Sequence, residues 1–143
     1  MADAALFPRV HTMVLCDEIR RGSGDPNTFD LLGVRTRIEA PGFPYIHPLL
    51  RVYMQVSGRQ GNARCHLTVQ PADTDSALYA SGDKPIALQG PLSIVSVAWR
   101  IKDCVFPRPG LCYVQAYFGT KLLNERLLAL TDRGGMSNGR QTA

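Results

Sequence analysis

The chain has 143 residues, of which 45% are hydrophobic and 20% are charged, and its formal net charge is +4. This length suits one domain with its own core, and the mildly basic composition is ordinary for a globular protein. The chain has no apolar run long enough to cross a bilayer, and its N-terminus lacks the basic leader and apolar stretch of a secretory signal, so we expect a cytoplasmic protein without a transmembrane segment.

The first half of the chain alternates apolar and polar residues with a period of two, which is typical of β-strands. After an N-terminal extension, 1–9, residues 10–16 are predicted to form the first strand, and 28–40 contain a second. Residues 40–48 carry three prolines, which exclude a helix and favour an extended loop.

Two longer alternating segments, 49–58 and 62–71, are separated by the short link 59–61. A link of this kind between two alternating runs predicts an antiparallel hairpin. The apolar side chains that the pattern directs to the core are Leu50, Val52, Met54, Val56, Cys65, Leu67 and Val69.

The second half repeats the pattern after a loop at 71–85, in which 77–80 could form one short strand. Residues 92–106 predict a long strand, with Val95, Val97 and Ile101 on the same face as Trp99. We expect Trp99 to lie at the centre of the core.

A turn at 107–110 then leads into a predicted strand at 111–119. Residues 122–130 have helix-forming side chains when taken alone. The short Gly-Thr-Lys link before them favours a hairpin partner, so we predict a strand. Residues 131–143 have almost no apolar content and predict a disordered tail.

Together these elements predict one all-β domain over residues 10–130. About seven short strands and no helix indicate an antiparallel two-sheet β-sandwich with immunoglobulin-like or C2-like topology. Two facing sheets about 10 Å apart would bury both apolar faces, which one sheet alone would leave in water.

The four cysteines, Cys16, Cys65, Cys104 and Cys112, contain no Cys-x-x-Cys pair, which argues against zinc-ribbon and thioredoxin-type sites. We expect reduced, partly buried thiols. Cys104 and Cys112 could face each other across a hairpin centred on Arg108, although two free thiols are the favoured interpretation.

The stretch "VLCDEIRRG" at 14–22 sets a thiol beside carboxylates and guanidiniums. A nucleophilic cysteine needs a nearby histidine or a helix N-terminus, and His11 has the opposite parity in the same strand. We therefore interpret Cys16 as the last core residue of the first strand, and keep a small hydrolase using Cys16 or a His–carboxylate pair as an alternative.

Asp73, Asp75 and Asp83 lie in one loop and could bind calcium or a small ligand, as loop aspartates of C2-like sandwiches do. Asp17 and Asp25 could join them from another loop. Turn formation by the aspartates themselves is the simpler interpretation. His11, His47 and His66 lack the spacing of a metal site, and no cofactor motif is present.

Several basic residues occupy the polar positions of predicted strands and could form a basic sheet face. These residues, with one interleaved tyrosine, are Arg35, Arg37, Arg51, Tyr53, Arg64, His66, Arg100 and Lys102. Such a face could bind an acidic protein, lipid head groups or nucleic acid. Alternatively, the arginines simply solvate two different sheets.

Three elements of the sequence carry a resemblance to a known family: "LCDEIR", then "FDLLGV", and a late "FPRPGLCYVQAYFGTKLLNERLLAL". Over most of residues 10–130 the chain resembles a family of small bacterial proteins catalogued as a domain of unknown function. This resemblance implies a β-sandwich and brings no catalytic residues.

The sequence therefore favours a non-enzymatic β-sandwich that works as a binding or assembly module. Its partner would be another protein or a second copy of the chain, bound through a sheet edge or loops, with nucleic acid a weaker candidate. Ion binding by the aspartate loop and anion binding by the basic face remain alternatives.

Overall fold

The computed structural model describes residues 6–25 and 27–133, and this part of the chain is built from nine β-strands without a helical element. They are β1 (Arg9–Cys16), β2 (Glu18–Arg21), β3 (Phe29–Leu32), β4 (Arg37–Ala40), β5 (Tyr45–Pro71), β6 (Tyr79–Ala80), β7 (Lys84–Phe106), β8 (Gly110–Phe118) and β9 (Lys121–Asp132). The all-β prediction is confirmed. Within the described residues, no helix has the length and apolar character of a membrane span.

Seven strands form one large curled sheet, and β2 and β3 form a separate two-stranded sheet. The large sheet runs in the order β1-β5-β8-β9-β4, and β6 and β7 also pair with β5. All its pairings are antiparallel except that of β4 with β9. The sheet is a half-barrel that curls around the hydrophobic core.

The predicted hairpin between 49–58 and 62–71 is wrong, because both segments belong to the single 27-residue strand β5. Strand β7 pairs with both of them, so Met54 lies opposite Val97 and Ala63 opposite Ile86. The ladder is irregular around Gly58 and Gly61, where β5 bends instead of reversing. Gly61 has φ of 146°, a conformation that other residues rarely adopt. We call residues 57–61 the corner of β5.

The core lies between the two halves of the curled sheet, and the apolar residues predicted to face it from 49–58 and 62–71 are buried. Trp99 is 5% exposed and belongs to the same cluster. Alternation along each strand was enough to identify these residues because it is a local property of the chain.

Strand β7 begins at Lys84, well before the predicted 92–106. Near its end, the side chains that face the core change from odd-numbered to even-numbered positions. Trp99 and Ile101 are buried before the change, and Cys104 and Phe106 after it. Asp103 lies between them with φ of 52°, in the left-handed region where aspartate is enriched among non-glycine residues. The backbone conformation of Asp103 therefore explains why the buried positions change from odd to even numbers.

The second predicted strand, 28–40, is two short strands in different sheets. Strand β4 joins the edge of the large sheet, whereas β3 pairs with β2. The Phe29 ring of β3 lies 5.4 Å from the ring of Tyr53, between centroids, so the small sheet covers part of the outer face of β5.

The remaining segments mostly follow the prediction. Residues 122–130 are a strand, within β9, and β6 lies in the predicted 77–80. The 107–110 turn joins strands that do not pair, because β8 pairs with β5 and β9. The predicted loop 40–48 ends early, since β5 begins at Tyr45.

Both predicted chain ends fall partly outside the described residues. Of the N-terminal extension, 1–5 lie outside, whereas 6–8 precede β1 and Arg9 belongs to it. Of the predicted tail, 131–132 complete β9 and 134–143 lie outside.

Long side chains form hydrogen bonds to backbone carbonyls where neighbouring strand segments of the curled sheet have no described backbone pairing. Between β1 and β9, Arg126 Nε donates to the Met13 carbonyl at 2.8 Å and Asn124 Nδ2 to the Val10 carbonyl at 3.3 Å. Along β7, which forms its described ladder with β5 alone, Lys84 Nζ donates to the Ala98 carbonyl at 3.0 Å.

Candidate functional site

A groove of about 480 Å³ lies at the corner of β5, on the outer face of the curled sheet. The start of β1, the corner itself and the bend of β7 form its walls. The residues that line it are Phe7, Arg9, His11, Ser57, Gly58, Arg59 and Pro91. Its volume is in the range of small-ligand sites.

Shifts in strand register direct the side chains of β1 and β5 into this groove. The β1–β5 register shifts between Val10 and Thr12, so His11 is an extra residue in β1. The β5–β7 register shifts twice, around Gly58. Bulges are frequent near functional sites because they redirect side chains that a regular strand would point elsewhere.

The polar groups of the groove converge on Ser57. His11 Nε2 lies 2.7 Å from Ser57 Oγ, and Arg9 is directly opposite Ser57 in the β1–β5 ladder. Ser57 is 8% exposed, whereas His11, Arg9 and Arg59 are exposed. None of the described residues that line the groove carries a carboxylate, so the charges of its two arginines are not neutralised there.

The segment before β1 packs tightly on the corner and positions Phe7. A Cβ added to Gly58 would lie 2.7 Å from the Leu6 carbonyl oxygen and 3.2 Å from Pro8 Cα, so only glycine allows this approach. Phe7 has φ of 45° and is 57% exposed, and the Arg59 guanidinium lies 5.2 Å from its ring centroid.

This arrangement is suited to binding an anion. Guanidinium groups present planar forks that match phosphate, sulfate and carboxylate groups, and the hydroxyl and imidazole add hydrogen-bonding capacity. A Ser–His pair could also be a nucleophile and its base. The His11 side chain makes its described hydrogen bond with Ser57.

The residues of the predicted basic face fall into three groups along the chain. Arg51, Arg100 and Lys102 share the outer face of the first half of the sheet, and Arg51 lies directly opposite Arg100. Arg51 Nε is buried and has no hydrogen-bond partner among the described residues. Tyr53 is 6% exposed under the small sheet and cannot be part of an open surface.

Arg64 and His66 form a second group, on β5 beyond the corner. His66 Nδ1 lies 3.4 Å from an Asp83 carboxylate oxygen, and its ring stacks on Tyr117 at a centroid distance of 5.3 Å. Arg64 Nε lies 4.0 Å from the same carboxylate.

Arg35 and Arg37 form a third group, beside the start of β5. Arg35 Nη2 donates to Asp17 at 3.0 Å, and Arg37 Nη2 lies 3.3 Å from Glu39. Both line a groove of about 420 Å³ that also contains His47. Burial lowers the pKa of His47, and the Arg35 charge lowers it further.

Two of the three loop aspartates form ion pairs with different partners. Asp73 accepts two hydrogen bonds of 2.9 Å from Arg108, whereas Asp83 pairs with His66. Asp75 lies in the loop between β5 and β6. No group of three metal-ligating side chains occurs among residues 6–25 and 27–133.

All four cysteines are free and buried. Burial raises the pKa of Cys65 to about 11 and that of Cys104 to about 12. Burial, and then the Asp17 carboxylate, raises the pKa of Cys16. Cys16 is the last residue of β1 and is fully buried, as predicted, although it lies outside the main core cluster that contains Leu15.

The groove residues were not identified from the sequence, apart from His11 as an isolated histidine. Arg9 and Arg59 are fifty residues apart, and Arg59 fell in the link of the supposed hairpin. The one local signal is the pair Gly58 and Gly61, which indicates a bulge or a close backbone approach as readily as a turn.

Solved structures with similar folds have low sequence identity. An alkylpurine DNA glycosylase from Pseudomonas fluorescens, solved bound to DNA containing an abasic site analog, has a TM-score of 0.55 and 8% identity, with 87% of this chain covered. This chain spans 30% of that protein's length. Similarity at this level shows the fold alone.

Two further structures have TM-scores below 0.5. An immunoglobulin-like protein from Pseudomonas aeruginosa has a TM-score of 0.49 and 14% identity, covering 89% of this chain and 98% of its own. A β-glucosidase from Erythrobacter marinus has a TM-score of 0.48 and 18% identity, covering 68% of this chain and 14% of its own.

No curated protein has a sequence similar to this chain. A family model matches residues 11–131, which include all nine strands except the ends of β1 and β9. This match agrees with the resemblance in the sequence to a family of uncharacterised domains. The chain belongs to DUF6941, a family of unknown function.

Proposed function

We propose that the protein is a non-enzymatic binding module that holds an anionic group of its partner in the groove at the corner of β5. The observation that carries this proposal is the presence of Arg9 and Arg59 in a concave site without a carboxylate among its described lining residues. An anion bound there would neutralise both charges and accept hydrogen bonds from both guanidiniums.

Most other arginines with described partners are already neutralised within the chain. The ion pairs are Arg20–Glu18, Arg35–Asp17, Arg37–Glu39, Arg64–Asp83 and Arg108–Asp73. Arg9 and Arg59 form no ion pair with a described carboxylate, and Arg59 instead contacts the Phe7 ring. Arg51 and Arg100 share this property, and the corner groove is favoured here because its two arginines line a concave surface.

Heparin chromatography tests the proposal, because this sulfated polymer reports on exposed, unpaired cations. The Arg9→Gln/Arg59→Gln variant is expected to elute at clearly lower salt than wild type. The matched control is Arg37→Gln/Arg108→Gln, which removes the same charge from arginines already paired with Glu39 and Asp73. Equal elution of the two variants would contradict the proposal.

The outer face around Arg51, Arg100 and Lys102 is a second candidate for anion binding. Its support is the direct juxtaposition of Arg51 and Arg100, since like charges in opposite positions of a ladder repel each other unless an anion lies between them. An Arg51→Ala/Arg100→Ala variant in the same assay separates this face from the groove.

We further infer that the half-barrel is a variant of the two-layer immunoglobulin-like sandwich. One buried core that draws side chains from both halves of the curled sheet supports this assignment. A cytoplasmic location, and a protein partner or second copy bound at a sheet edge, also remain proposals.

A further inference from the structure

We propose, on the basis of the function inferred above, that the anionic partner is single-stranded nucleic acid, with Phe7 as the platform on which a base stacks. The groove at the corner would hold a phosphate between Arg9 and Arg59. The face of the exposed Phe7 ring that Arg59 does not cover would stack on the adjoining base.

The first support is the conformation of Phe7. A large aromatic residue with positive φ is an outlier that persists only where the surrounding structure holds it. Leu6 and Pro8 on either side pack against the corner, so the backbone is fixed while the ring points outward. An exposed, immobilised aromatic ring gains little stability for the fold and is well suited to stacking.

The second support is that Phe7 separates two grooves. On its far side lies a groove of about 400 Å³, lined by Phe7, Pro8, Phe118, Gly119, Thr120 and Lys121. Two arginines therefore lie on one side of the ring and Lys121 on the other, again without a carboxylate among the described lining residues. A polymer that crosses Phe7 would meet cations before and after it.

This alternation of cations and an aromatic ring favours nucleic acid over an acidic peptide. Single-stranded nucleic acids are bound by grooves that combine positive charge along the backbone with rings under the bases. An acidic peptide would use the charges but has no repeating flat group for the ring. Loss of one stacked base lowers affinity by about 5- to 150-fold.

Fluorescence anisotropy with a fluorescein-labelled twelve-residue oligothymidylate tests the inference. Phe7→Leu should weaken binding at least about fivefold, and Phe7→Tyr, which keeps the ring, should retain it. Arg9→Gln/Arg59→Gln should weaken binding and reduce the slope of log affinity against log salt by about 1. Thermal melts confirm that each variant is folded.

Inorganic polyphosphate and poly-L-glutamate serve as competitors without bases. Each competitor should displace the labelled oligonucleotide only at a much higher concentration, counted in negative charges, than unlabelled oligothymidylate does. The affinity of Phe7→Leu for each competitor should equal that of wild type. If either competes equally, or if Phe7→Leu binds oligothymidylate as wild type does, nucleic acid is the wrong partner although the anion groove stands. If no polyanion depends on Arg9 and Arg59, both proposals fail.

Discussion

At the scale of single residues, burial decides which reactive groups are available. The cysteine that the sequence placed beside charged residues, Cys16, is fully buried, and its raised pKa keeps it a thiol. The thiolate is the nucleophilic form, so burial acts against chemistry at this position. Exposed Arg9 and Arg59 have the opposite character, because their charges are permanent and accessible.

We predict that none of the four thiols reacts rapidly with Ellman's reagent in the folded protein at pH 8. With a pKa of about 11, Cys65 is thiolate in only about one molecule in a thousand at that pH. All four should react in guanidinium chloride, and Cys16→Ser should lower that total by one. Fast labelling of Cys16 in the native protein would revive a catalytic role for it.

At the scale of strands, alternation predicted which side chains are buried but not how the strands connect. Whether 59–61 reverses the chain or bends it depends on β7, which pairs with β5 on both sides of the corner. That partner lies more than twenty residues away along the chain, so no local signal contains the answer. The groove was missed for a similar reason, because its lining residues come from β1, β5 and β7, which are far apart in the sequence.

The long strand β7 raises a different issue, since an unpaired strand edge can pair with another molecule. Lys84 of this strand donates to the Ala98 carbonyl and lies 5.1 Å from the Trp99 ring centroid. A charged amine at this position opposes the approach of a second strand, because pairing would require its displacement.

We therefore predict that Lys84→Met increases self-association. Sedimentation velocity over a range of concentrations should show dimers or larger species that wild type lacks under the same conditions. Lys102→Met is the control, since it removes the same charge from the same strand at an exposed position. If the two variants sediment alike, Lys84 has no protective role.

At the scale of the whole molecule, the curled sheet is held closed by side chains as well as by backbone ladders. Arg126 and Asn124 connect β9 to carbonyl groups of β1, and the segment before β4 adds backbone bonds from Arg35 to Leu15 and from Ala129 to Thr36. Sequence patterns could not reveal this closure, because β1 and β9 lie at opposite ends of the chain.

Arg126→Met should lower the free energy of unfolding by about 1–2 kcal/mol, since it removes a charged donor from a strand carbonyl. Urea titration measures the change in the free energy of unfolding. Relative to wild type, the variant should show a larger increase in amide hydrogen exchange in β1 than in β8. Arg64→Met is the comparison, because that arginine makes one long contact, of 4.0 Å, to a partly exposed carboxylate. Equal stability of the two variants would show that β1 is held by its ladder with β5 alone.

The bend in β5 has a consequence for how a ligand could affect the molecule. One uninterrupted strand belongs to both halves of the curled sheet, and the arginine-bearing groove lies where it bends from one half into the other. A ligand bound there would contact β1, β5 and the bend of β7, so it would resist any change in the angle between the two halves. A bound ligand would therefore make the whole curled sheet more rigid. Its binding would change the motion of residues that it does not contact.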